Sequence, residues 1–167
     1  MARYDQRAIA NEILKKAWKR DLKITKMHLI KLVFLVHGWS LAFFDEPLVD
    51  GQPQVWKLGP VYPKLYNSLS GYTSQPVNKL LTDEFMELPY AADALPLPAK
   101  RLITNVVDSY GKMHAFSLSD LTHKDGSPWA TTLKESGTYA SIPEATMKEY
   151  YDNVRKERGW AKDIFGH

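Results

Sequence analysis

Five histidines, His28, His37, His114, His123 and His167, are the side chains in this sequence best suited to move protons or hold a metal near neutral pH. His28 and His37 stand nine residues apart, which on one helix puts them on opposite faces and out of reach of a shared ion. His37 reads as a buried imidazole, bonded to a carbonyl or to a residue of the aromatic cluster near it. His123 follows Asp120 by three residues, a spacing at which a carboxylate orients an imidazole, although Asp120 serves equally as a helix cap. The cysteine count is zero, which excludes disulfides and thiolate metal sites and is compatible with a reducing cytoplasm.

No nucleophile elbow, phosphate-binding glycine loop, dinucleotide fingerprint or His-Glu-x-x-His zinc motif occurs. The expectation is therefore a protein that is not an enzyme and uses no metal or cofactor.

A second group of residues suits binding rather than catalysis. Trp39, Trp56, Tyr62, Tyr66 and Trp129 surround the most apolar stretch, and large aromatics anchor both cores and interfaces because they bury much area with few torsions. Trp39 reads as core. Trp56, in a short strand between turns, is more evenly balanced between core and surface. Lys15, Lys16, Lys19, Arg20, Lys23, Lys26 and Lys31 form a basic run: residues 1–40 hold nine Lys and Arg against three Asp and Glu, and the remainder thirteen against sixteen. Such a run either solvates a helix face or meets nucleic acid. A winged-helix arrangement is the specific form of the second reading, and the apolar second helix argues against it.

The elements that position these residues start from Met27 to Phe44, apolar on nearly every side of a helical wheel and so a helix enclosed by neighbours. His28, Lys31, His37 and Ser40 interrupt it, which disfavours a membrane span. Before it, Asp5 caps a helix with Ile9, Ala10, Ile13, Leu14 and Ala17 on one face. After it, Gln54 to Leu58 is β-prone, and Gly59-Pro60-Val61-Tyr62-Pro63 is expected to open a helix reaching about Gly71. Residues 73–98, with four prolines, read as a surface connection with one short helix around Val77 to Met86.

Pro98 starts a helix that ends at Gly111. Ser117 to Asp120 reads as a capping box for a short helix to His123, Ser127-Pro128 starts another that Gly137 closes, and Ser141 to Glu144 repeats the capping pattern before a last helix. The expected architecture is mainly α: a compact single domain of about six helices around a buried central helix, with a minor short β element. Residues 1–158 form the domain, and 159–167 are expected as a flexible tail.

Two blocks of this sequence resemble a known family. Lys31 to Ala42, KLVFLVHGWSLA, then Pro47-Leu48 and Val55 to Tyr66, VWKLGPVYPKLY, make the first block. Tyr110-Gly111, Ser117 to His123 and Pro128-Trp129 make the second, in the same order and at similar spacing. Over roughly residues 8–155 the chain is similar to the Panacea antitoxin domain family, also described as SocA-like or phage-associated proteins. That resemblance implies a small helical domain of the cytoplasm, encoded beside a toxin gene, often in prophages or other mobile elements, and neutralising the cognate protein toxin.

Combined with the aromatic and basic residues, it makes Trp56, Lys57, Tyr62 and Tyr66 the expected toxin-binding residues, with His123 and Trp129 behind them. His37, Gly38, Trp39, Gly59 and Pro60 are expected to shape the scaffold. A nucleic-acid-binding regulator using the basic first hairpin is the alternative, and a homodimer is left open.

Overall fold

The computed structural model describes residues 2–166 and is mainly α-helical. In chain order the elements are β1 (Tyr4–Asp5), α1 (Gln6–Lys19), α2 (Lys26–Phe44), β2 (Val49–Asp50), β3 (Gln54–Trp56), β4 (Gly59–Val61), α3 (Pro63–Ser68), α4 (Leu97–Tyr110), α5 (Ala115–His123), α6 (Pro128–Ser136) and α7 (Glu144–Glu157). His167 lies outside the described residues.

Asp5 caps α1 as expected, its carboxylate accepting the Arg7 N–H at 2.8 Å. Thr25 and His28 form a reciprocal cap that starts α2. The α2 helix is long and apolar enough to cross a membrane, but 94% of its apolar window is buried inside the protein. Its neighbours α1, α4, α5 and α7 cover it on all sides. The all-round apolar pattern thus has its explanation in packing.

Gly38 is where the closest approach occurs. A Cβ at that position would collide with the Tyr151 ring of α7, so the missing side chain is what lets α7 lie against α2. Trp39 is buried beside it, 5.0 Å from the Tyr151 ring and 5.5 Å from that of Trp160. The segment after α7 follows the same wall: Phe165 meets Phe43 edge-on, ring centroids 4.9 Å apart.

Four local expectations are corrected. Gly59-Pro60-Val61 does not open a helix but forms β4, antiparallel to β3 with Val55 opposite Pro60, and the helix starts only at Pro63. The reason is Gly59, whose φ of +116° turns the chain back after Leu58. Residues 77–86 form no helix, because the buried Asn11 side chain takes the Leu81 N–H and carbonyl, which a helix would need for itself, and ties them to the Tyr90 carbonyl. The α5 helix starts at Ala115 on a His114 cap, which leaves Ser117 and Asp120 inside it. At α7 the N-cap is Pro143: Ser141 bonds Gln52 instead, and the Glu144 carboxylate is turned toward His37. The Ser127-Pro128 start and the Gly137 end of α6 are as expected.

Candidate protein-binding cleft

The β3–β4 hairpin lies between helices. On one side residues 139–142 add a third extended segment to β3, with the Tyr139 N–H on the Val55 carbonyl at 2.7 Å and the Val55 N–H on the Ala140 carbonyl at 3.0 Å. On the other side the Ser119 hydroxyl donates to the Leu58 carbonyl, and the Trp129 indole N–H reaches the Trp56 carbonyl at 2.8 Å. These bonds tie the hairpin to α5, α6 and residues 139–142.

Trp56 is half-buried and carries aromatic neighbours on two sides. Its ring lies 5.0 Å from Tyr66 and 6.0 Å from Tyr139, the latter edge-on. Lys26 places its ammonium 3.5 Å above the Tyr66 ring. Leu58 and Tyr139 stand exposed at the rim. Between the hairpin, α3 and the first half of α2 opens a cleft of about 530 Å³, lined by Lys26, Lys31, Trp56, Lys57, Leu58 and Tyr66 among others.

The structure thus brings Trp56, Lys57 and Tyr66 together on one surface. Trp129 and His123 sit behind the hairpin, their rings 5.2 Å apart. Tyr62 is withdrawn from this group: it is fully buried and has no surface to offer a partner. Its ring stacks on His37, and its hydroxyl donates to His37 Nδ1 at 2.7 Å. Tyr139 and Lys26 are the additions. Tyr139 reaches Trp56 only because residues 139–142 pair with β3 across a sequence separation that no local pattern signals.

The titratable constellations are tied into the scaffold. His37 donates from Nε2 to Glu144 at 2.7 Å, and this bond and the Arg3 guanidinium 3.2 Å away hold the Glu144 carboxyl below its ordinary range. His37 is wholly buried, and the Tyr62–His37–Glu144 chain clamps α2 to the start of α3 and to α7. His28 accepts from the Thr25 N–H and donates to the Met113 carbonyl, while burial pulls its pKa down. The Asp120–His123 pair is loose, 3.9 Å apart with Asp120 exposed, and makes no oriented dyad. Among the described residues no group of three His, Cys, Asp or Glu comes together to hold a metal.

The basic run is also broken up. Arg20 pairs with Asp108 and Lys15 with Glu12, while Lys31 is only 2% exposed and donates to the Pro60 carbonyl at 2.8 Å. Burial draws the Lys31 ammonium down to about 7, from 10.5. Gly59 leaves room for it: a Cβ there would stand 3.2 Å from Lys31 Cε and Nζ.

These features define a small, mainly α domain whose ionisable chains build the fold and whose open surface is an aromatic and cationic cleft. The chain belongs to the antitoxin SocA-like, Panacea domain family, whose match covers residues 29–130 and so contains both motif blocks. It is 31% identical over 137 residues to Antitoxin SocA of Caulobacter vibrioides (strain NA1000 / CB15N), a match spanning 80% of this chain and 73% of that protein. No solved structure matches.

Proposed function

We propose that this domain is an antitoxin that neutralises a cognate protein toxin by binding it directly, through the surface formed by Trp56, Lys57, Leu58, Tyr66 and Tyr139. The observation that carries the reading is the aromatic cluster of half-buried Trp56 with exposed Tyr66 and Tyr139, gathered at a hairpin paired on both sides, in a chain of an antitoxin family. Rigid aromatics with an apolar body and a polar tip are the usual centre of a binding hot spot, and their order before binding lowers the entropic cost of association. An interface of about 800 Å² per partner would extend beyond the cleft to Trp129 and His123. Catalysis has no part in this mechanism; the toxin is held, not modified.

The test is co-expression with the adjacent open reading frame under an inducible promoter. Growth rescued by the wild-type chain and lost with Trp56→Ala, at unchanged helical circular dichroism, supports the reading. Rescue by Trp56→Ala, Tyr66→Ala and Leu58→Asp alike removes this surface from the interface. Since Trp56 is half-buried, Leu58→Asp, at an exposed position, is the variant that separates binding from folding.

A further inference from the structure

Lys31 is an unusual residue to bury. An ammonium group removed from water is far costlier than an apolar side chain of the same length unless a counter-charge meets it. Here the only acceptor found for Lys31 among the described residues is the neutral Pro60 carbonyl, which satisfies one of its three donors.

Lys31 is not sealed into the core, however. It lines the floor of the cleft, with Lys26 and Lys57 on the same walls. No Asp or Glu lines that cleft, and none of these three lysines has an ion-pair partner among the described residues. Three lysines without a carboxylate form one half of an electrostatic match, and a carboxylate brought beside Lys31 would hold it in its charged form. Trp56, Tyr66, Leu58 and Ile30 give the walls an apolar stretch that suits an apolar side chain, with Ser70 and Thr73 adding hydroxyls.

We infer that the cleft receives an acidic and apolar segment of the partner protein, one carboxylate side chain seated on Lys31 and Lys26, and a neighbouring apolar side chain against Trp56 and Tyr66. This rests on the toxin-binding reading and names what the toxin presents. The volume, about 530 Å³, holds a few side chains rather than a folded element. Leu58 continues the apolar wall out to the exposed rim. Such a trough favours a segment that runs on across the surface over a free small anion that would end inside it.

The carboxylate supplies what the Pro60 carbonyl does not: a full negative charge, in a site from which the partner's own chain excludes water. A charge-assisted contact in that setting is stronger than the same contact on an open surface. Lys57, at the tip of the hairpin, is placed to steer the approach, and the salt dependence of association follows from it.

The experiment titrates the wild-type chain, Lys31→Met and Lys26→Glu with the purified product of the adjacent gene, and selects toxin variants that Lys26→Glu neutralises again. At least a tenfold loss of affinity is expected for both variants. Restored neutralisation of Lys26→Glu by a toxin Asp→Lys or Glu→Lys change is the specific signature. Wild-type affinity in both variants overturns the inference while leaving toxin neutralisation standing. Failure of the wild-type chain to bind overturns both.

Because Lys26 is only partly buried, at the first residue of α2, its charge reversal remains informative even if Lys31→Met misfolds. A parallel titration with AMP addresses a free anion as occupant. Binding of AMP that needs Lys31 and leaves toxin affinity unchanged would also overturn the inference.

Discussion

The Nε2 of His37 lies 2.7 Å from Oε2 of Glu144, across 107 residues of chain, and this bond anchors the first turn of α7 to the middle of α2. Since the ring is buried and its Nδ1 accepts from Tyr62, removing the carboxylate leaves a polar N–H without a partner in the core. Glu144→Ala is expected to destabilise by about 1–3 kcal/mol. Glu144→Gln, which keeps an acceptor, should lose less. Urea denaturation of the two variants checks this, and a Tyr62→Phe background should change the cost of Glu144→Ala, because all three groups share one chain of bonds. Additive costs would remove the coupling.

Gly38→Ala poses a conflict between local and tertiary preference. Alanine is favoured over glycine inside a helix by about 1 kcal/mol. In this position its methyl would meet the Tyr151 ring, which is buried between Phe34 and Trp39 and has nowhere to move. Overpacking should win, at a net cost of about 1–3 kcal/mol. Thermal denaturation reads the loss, and Tyr151→Leu combined with Gly38→Ala should recover part of it. A more stable Gly38→Ala would contradict the packing seen here.

The central helix was legible because its evidence is local: an unbroken apolar wheel can only be an enclosed helix. The sequence marks His37, Gly38 and Trp39 as a motif, yet Glu144, Tyr151 and Trp160, which they meet, lie more than 100 residues away and carry no mark of that pairing. Pro60 misled because a proline suits both a first helical turn and a position that needs no ladder N–H. Lys31 looked like one more surface cation, since burial depends on the hairpin that folds over it. Trp56 and Tyr66 were both recognised, but their junction with Tyr139 arises only after residues 139–142 join β3.

Asn11 controls the long segment between α3 and α4, which the sequence pattern reads as a surface connection with one short helix. Its amide donates to the Leu81 and Tyr90 carbonyls, each at 2.9 Å, and accepts the Leu81 N–H at 2.8 Å. Substitution by Leu strips the Leu81 N–H and the Tyr90 carbonyl of their partner in a buried place, while the Leu81 carbonyl keeps the Tyr90 N–H. The expected cost is about 2–4 kcal/mol, concentrated in residues 76–96. Amide hydrogen exchange should show faster exchange there than in α2. Uniform loss of protection across the chain would mean that Asn11 supports the whole core instead.

Lys31 sets a pH dependence whose sign opposes that of an ordinary ion pair. Its pKa falls from 10.5 in the unfolded chain to about 7 in the fold, so between those values the unfolded state binds the additional proton. Stability must then rise with pH from about 7 toward 10, at no more than about 1.4 kcal/mol per pH unit. Above pH 10 the trend reverses, because burial holds the Tyr62 and Tyr151 hydroxyls protonated in the fold after they ionise in the unfolded chain. Lys26, Lys57, Tyr66 and Tyr72 share the cleft with Lys31, and no Asp or Glu lines it to offset the ammonium. Lys31→Met removes the charge and keeps the length, so it should be more stable than wild type at pH 7 and lose the rise between pH 7 and 9.5. Urea denaturation at the two pH values measures both effects, and a wild type flat over that range would show that the buried amine keeps its ordinary pKa. A stabilising Lys31→Met that also binds its toxin at least tenfold more weakly would identify the lysine as a charge held at the expense of the fold for the sake of the partner.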